Sequence, residues 1–115
     1  MDRKIFIQTP ISIESISHAE ILFVSFKAGV TLIKLLSNRV VVAKRSVKQI
    51  EKTIDSKYFY RCHAKYLINL ACMARYVPKH SLVVMADGTE IRVAKERKSK
   101  FKKYLIDINL AGFEE

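Results

Sequence analysis

The apolar residues of this chain recur with two different periods. Through the first 45 residues the spacing is that of extended backbone. Lys4–Thr9 and Ile11–Ile16 flank Pro10, and Ile5, Ile7, Ile11 and Ile13 hold the two-residue alternation of a half-buried sheet. Ala19–Phe26 and Val30–Ser37 are β-branched and aromatic runs joined through Lys27-Ala28-Gly29, a predicted hairpin. Ser37-Asn38-Arg39 then turns the chain into Val40–Ala43, so an antiparallel meander is expected over this stretch. The period lengthens next. Val47, Ile50 and Ile54 recur at helical spacing behind Ser46, a residue type that caps helix N-termini, while Lys48, Glu51 and Lys52 fall on the water side. This predicts an amphipathic helix over 46–55, ended near Asp55-Ser56.

The second half returns to the short period. Tyr58–Leu70 is followed by Ala71–Val77, a Pro78-Lys79-His80 turn and Ser81–Ala86. Asp87-Gly88 is the strongest short hairpin signal in the chain; a type I′ turn, with positive φ at both central residues, is expected there, with Thr89–Ala94 as the return strand. From Lys95 to about Ile106, Phe101, Tyr104 and Leu105 fall at helical spacing within a basic segment, which predicts a C-terminal helix. Asp107–Glu115 is weakly specified. Pro10, Pro78, Gly29, Gly88 and Gly112 are spread out, with no linker, repeat or low-complexity tract between them. The pattern is that of a single α+β, mostly β domain over residues 1–115, with one internal and one C-terminal helix.

Charge narrows the partners. The chain carries 21 Lys and Arg against 11 Asp and Glu, a formal net charge of +10. That field favours polyanions: DNA, RNA or an anionic membrane surface. It is also uneven. Residues 57–103 hold twelve Lys or Arg against Asp87, Glu90 and Glu96, whereas the first 56 hold nine against five acids. Uneven basicity reads as a binding face. No apolar stretch reaches the roughly 18–20 residues of a membrane span, and the apolar run at the N-terminus is too short for a signal peptide. A cytoplasmic protein is expected, and Cys62 and Cys72 then read as two reduced thiols.

An assembled catalytic site is not visible. Cys62 and His63 are adjacent, so on a strand their side chains would point to opposite faces and one could not serve the other as base. Paired carboxylates, a Gly-rich phosphate loop, a serine nucleophile motif and metal-ligand spacing are all missing from the sequence, so no catalytic, cofactor or metal residue is assigned.

The most informative stretch is Tyr58-Phe59-Tyr60-Arg61-Cys62-His63-Ala64-Lys65-Tyr66-Leu67-Ile68-Asn69-Leu70, followed by the Asp87-Gly88 hairpin and the lysine-rich run. It resembles the signature of the LytTR DNA-binding domain of bacterial transcription regulators, read roughly as Phe-x-Arg-x-His-basic-Ser-aromatic-apolar-Val-Asn. The resemblance runs from about Ile5 to Leu105. It implies an elongated arrangement of small antiparallel sheets that places loop residues, not a helix, into successive major grooves of double-stranded DNA. It further implies imperfect direct repeats in promoters, one domain per repeat, with no cofactor. The chain would be a stand-alone regulator or the excised output domain of a response regulator, a monomer in solution, with RNA polymerase as a further partner. Carried over position by position, the early-hairpin reader falls near Val30 and Thr31 with Lys27 beside it. The segment around the Cys-His pair contributes Arg61, His63, Ala64 and Lys65. The junction before the last helix contributes Lys95, Arg97 and Lys98. Ala64, Lys65 and Ala94-Lys95 depart from the family's pattern. Lysine is a point charge without the fork that arginine offers guanine, which leaves Arg97 as a candidate reader. Phe59, Tyr66, Leu67 and Ile68 are expected in the core, and Asn69 at a turn.

Two other functions fit the composition. Tyr58, Phe59, Tyr60 and Tyr66 interleaved with basic residues would suit a stacking platform for single-stranded nucleic acid or RNA. Exposed β edges would suit a protein-interaction module.

Overall fold

The computed structural model describes residues 3–109. Ten strands and two helices follow in the order β1 (Lys4–Gln8), β2 (Ile13–Ser17), β3 (Ile21–Lys27), β4 (Val30–Leu35), β5 (Val40–Ala43), α1 (Val47–Ile54), β6 (Phe59–His63), β7 (Tyr66–Asn69), β8 (Met73–Val77), β9 (Leu82–Met85), β10 (Glu90–Arg92) and α2 (Lys98–Ile108). They form three antiparallel sheets: a five-stranded sheet ordered β5-β4-β3-β7-β6, a three-stranded sheet β10-β9-β8 and the β1-β2 hairpin. The expected meander is therefore divided. β3, β4 and β5 run through the large sheet, and the first hairpin stands apart from it. Among the described residues no helix is long and apolar enough to cross a membrane.

The large sheet is covered on both faces. On one side Ile5, Ile7 and Ile16 of the first hairpin and Val47, Ile50 and Ile54 of α1 pack against Val24, Ile33, Val41 and Leu67. On the other, Val83, Met85 and Ile91 of the small sheet and Phe101 and Ile108 of α2 pack against Leu22, Cys62 and Ile68. A register shift between Ile21 and Phe23 inserts Leu22 as an extra residue. The bulge breaks the alternation and sends Leu22 to one core while Ile21 and Val24 go to the other.

Local chemistry explains the element ends. The Ser46 hydroxyl accepts from the Gln49 amide at 3.1 Å and the Gln49 side chain accepts from the Ser46 amide at 2.9 Å, a capping box that starts α1 where the sequence places it. Asp55, at φ 45°, ends it. The type I′ turn sits elsewhere than expected. At β3–β4 the two-residue loop Ala28-Gly29 has φ 52° and 77°, positive at both positions. At β9–β10 only Gly88 is left-handed, at φ 90°, in a three-residue loop closed by the Met85 amide on the Thr89 carbonyl at 2.9 Å. Leu36-Ser37-Asn38 repeats that form, with Asn38 at φ 72°. The predicted C-terminal helix begins as a single 3₁₀ turn over Lys95–Arg97 and continues as α2, two residues beyond the expected end at Ile106. Of the weakly specified tail, residues 110–115 lie outside the described residues.

Candidate nucleic-acid interface

The segments singled out by the signature meet at one end of the large sheet. β6 and β7 join through Ala64-Lys65, and the Lys65 carbonyl accepts from the Phe26 amide at 3.0 Å, which sets this turn beside the β3–β4 turn. On the outer side, β6 is the sheet's edge, and its register shifts between Tyr60 and His63. Two residues, Arg61 and Cys62, therefore stand opposite one, Leu67, as in a β-bulge. Both bulged carbonyls are taken by the junction before α2. The Ala94 amide donates to Cys62 at 2.9 Å, and Arg97 Nη1 donates to Arg61 at 2.9 Å. Hydrogen bonds thus tie the β3–β4 turn, the β6–β7 turn and the junction 94–98 into one row.

Within the row the side chains divide by duty. Lys27, Lys65 and Lys95 are exposed cations and Lys98 is half-buried. Arg61 is turned inward along the surface: Nε and Nη2 both donate to the Ala64 carbonyl, at 3.1 and 2.7 Å, and Nη1 lies 3.3 Å from Glu51 of α1. His63 Nδ1 accepts from the Lys65 amide at 3.1 Å, which leaves Nε2 as the ring's donor, and the ring stands edge-on to Tyr66 at 5.7 Å. Thr31 corrects the expected early-hairpin reader. It pairs with Ala43 inside the sheet and is only 5% exposed, so Val30, at 38%, is the residue that the turn presents. Arg61 and Arg97, expected at the DNA, also brace the β6–β7 turn from within the domain.

The rest of the signature is scaffold, as the sequence suggested. Asn69 is buried, with its amide donating to the Ile21 carbonyl at 2.9 Å and its oxygen accepting from the Ala71 amide at 3.0 Å. Tyr60 packs against Phe101 and Tyr104, with ring centroids 5.1 and 4.7 Å apart, and the Tyr104 hydroxyl donates to the Lys57 carbonyl. Cys62 is fully buried; burial pushes its thiol up to about 12, so it holds no reactive thiolate at neutral pH. Cys72 is half-buried, and burial raises its thiol as well.

Three groups near the row carry no signal in the signature and become visible only through topology. Lys44 and Arg45 follow β5, whose Ala43 pairs with Thr31 beside the β3–β4 turn. Lys79 lies in the β8–β9 turn, held against the end of β10 by the Val93 amide on the Ser81 carbonyl at 2.8 Å. All three are exposed.

A family model of the LytTr DNA-binding domain matches residues 12–106. The chain belongs to the LytTR family. DNA binding and transcription regulation are what that membership implies, and the family is not a catalytic one. Among solved structures, the LytTr DNA-binding domain of a protein described as a methyl-accepting/DNA response regulator from Bacillus cereus superimposes with a TM-score of 0.77. It shares 21% identity, over 89% of this chain and 95% of that one, so it shows the common LytTR fold. No curated protein sequence matches.

Proposed function

We propose that this LytTR domain is a sequence-specific regulator that lies along one side of duplex DNA and meets successive major grooves with its β3–β4 turn and its 94–98 junction. The β6–β7 turn faces the sugar-phosphate backbone between them. The observation that carries this reading is the row of turns tied by the Phe26–Lys65, Ala94–Cys62 and Arg97–Arg61 hydrogen bonds. A row held by backbone and guanidinium bonds delivers side chains at fixed spacing, which reading a groove requires.

Lys27 and Val30 act at the first groove, and Lys95 and Lys98 at the second. Lys65 and His63 Nε2 serve as phosphate contacts. Direct repeats follow from one domain occupying one site without a two-fold axis, and the domain is a monomer until DNA aligns its copies. RNA polymerase is the partner that such promoter binding would influence, in a cytoplasmic setting. The stacking-platform alternative loses support from the packing of the rings: Tyr60 is engaged by Phe101 and Tyr104, and Tyr66 by Phe23 and His63.

Selection of bound sequences from a random duplex library tests the reading, with the winner and a scrambled duplex then compared across a salt series. A repeated motif held at physiological salt is the expected result. Equal, steeply salt-dependent binding to both duplexes would reduce the protein to a polycation.

A further inference from the structure

The β3–β4 turn has a cation group on each side of it at the same end of the sheet. Ala43 pairs with Thr31, so the chain leaves β5 next to the point where it enters β4, and Lys44 and Arg45 come immediately after. The Lys44 amide is fixed there by donating to the Gln8 carbonyl at 3.0 Å, which ties the segment to the end of β1. Both side chains are exposed, and neither has a carboxylate partner among the described residues. On the other side stands Lys65, at the start of β7. In the sheet order β5-β4-β3-β7-β6, three strand spacings separate β5 from β7. At about 4.8 Å per spacing the backbones that carry the two cation groups are about 14 Å apart, with the Ala28-Gly29 tip projecting between them. The major groove of B-DNA is about 12 Å wide between its two backbones.

From this match we infer that Lys44 and Arg45 form a phosphate clamp on the outer backbone of the groove that the β3–β4 turn enters, with Lys65 gripping the inner one. The inference rests on the duplex-binding reading above and adds to it a site outside the signature segments. It also explains how a tip built from Ala28 and Gly29, with little side chain of its own, is seated at a fixed depth. The two backbones are held on either side, and the tip's neighbours Lys27 and Val30 meet the base edges. Each phosphate contact releases counterions, so the clamp registers in the salt dependence of binding as well as in affinity.

The test compares the Lys44→Ala/Arg45→Ala double variant with a Lys4→Ala/Lys52→Ala double variant. The control removes the same charge from exposed positions at the far end of β1 and late in α1. Binding of a labelled mixed-sequence duplex is measured by fluorescence anisotropy across a salt series, beside Lys65→Ala. The expected result is a salt slope lower by about 1.8 and an affinity about tenfold weaker for the first double variant, with a much smaller change in the control. An unchanged slope in Lys44→Ala/Arg45→Ala, while Lys65→Ala lowers it, would overturn the clamp and leave the duplex-binding reading standing. Equal losses in both double variants would also overturn it, since bulk charge alone would then be acting. Failure of the unaltered chain to bind any duplex would remove both.

Discussion

The β3–β4 and β6–β7 turns project from the same end of one sheet and are built in opposite ways. The first is a bare two-residue loop whose shape comes from positive φ at Ala28 and Gly29, and among the described residues no side chain braces it. The second is held from three directions: Arg61 on the Ala64 carbonyl, His63 on the Lys65 amide, and Arg97 on the carbonyl of Arg61. In the proposed complex the first is the tip that enters a groove, slim and kept in place by its ladder. The second would lie against the backbone and hold a lysine at a fixed height, with two arginines and a histidine as its brace. The signature is thus mostly a description of the brace. Residues that meet DNA need not be those that the signature makes conspicuous.

Removing the brace should have the largest effect. Arg61→Ala deletes two charge-assisted hydrogen bonds to the Ala64 carbonyl and the ion pair with Glu51. The hydrogen bonds should dominate, since a half-exposed ion pair contributes little, and the expected loss is about 2 kcal/mol. Thermal unfolding followed by circular dichroism should shift down by roughly 8–10 °C. Arg61→Lys should recover little of this, because an ammonium cannot reach one carbonyl with two donors in the guanidinium's geometry. An unshifted transition in Arg61→Ala would show that the turn stands without its brace and would erase the contrast between the two turns. Weaker DNA binding is expected to accompany the shift, equally for all sequences.

The bare turn predicts a smaller and simpler response. A β-carbon added at Gly29 meets no atom within 4 Å, so Gly29→Ala is sterically free and isolates the cost of φ +77°. That cost should be about 1 kcal/mol in unfolding, near the lower end of the left-handed penalty for a residue with a β-carbon. If Gly29→Ala were as stable as the parent, the tip would have a second, equally good conformation, and a fixed reading position there would be untenable.

How far the sequence carried these conclusions depends on what kind of information each feature needs. α1 was legible because Ser46, Gln49 and the spacing of Val47, Ile50 and Ile54 are all local. The hairpin positions were legible for the same reason. Turn type was less so: Asp87-Gly88 looks like a two-residue loop, but the Met85–Thr89 closure adds a residue and leaves positive φ to Gly88 alone. Ile11 and Ile13 were expected to be half-buried and are 93% and 72% exposed. The pairing of Ile5 with Ile16 and Ile7 with Glu14 puts Glu14 and Ile16 on the inward parity of β2, and parity cannot be read until the register is fixed. Thr31 was misplaced by the same one-residue ambiguity. The duties of Arg61 and Arg97 depend on a bulge in β6, and a bulge leaves no periodic trace. Lys44 and Arg45 lie outside the signature, and only strand order brings them beside the β3–β4 turn.

The smallest expected effect on stability is the one that separates support from contact. Lys65 is exposed, and it takes part in the turn through its backbone, whose amide donates to His63 and whose carbonyl accepts from Phe26. Truncating its side chain leaves both bonds in place, so Lys65→Ala should unfold at the parent's temperature. Binding should nevertheless weaken, with a salt slope lower by about 0.9, the value of one phosphate contact. The loss should be the same on a selected duplex and on a scrambled one, because phosphates carry no sequence. A loss confined to the selected duplex would make Lys65 a base reader and move the β6–β7 turn from the backbone into a groove. The brace would then be holding a reading head, and the division of labour between the two turns would have to be reversed.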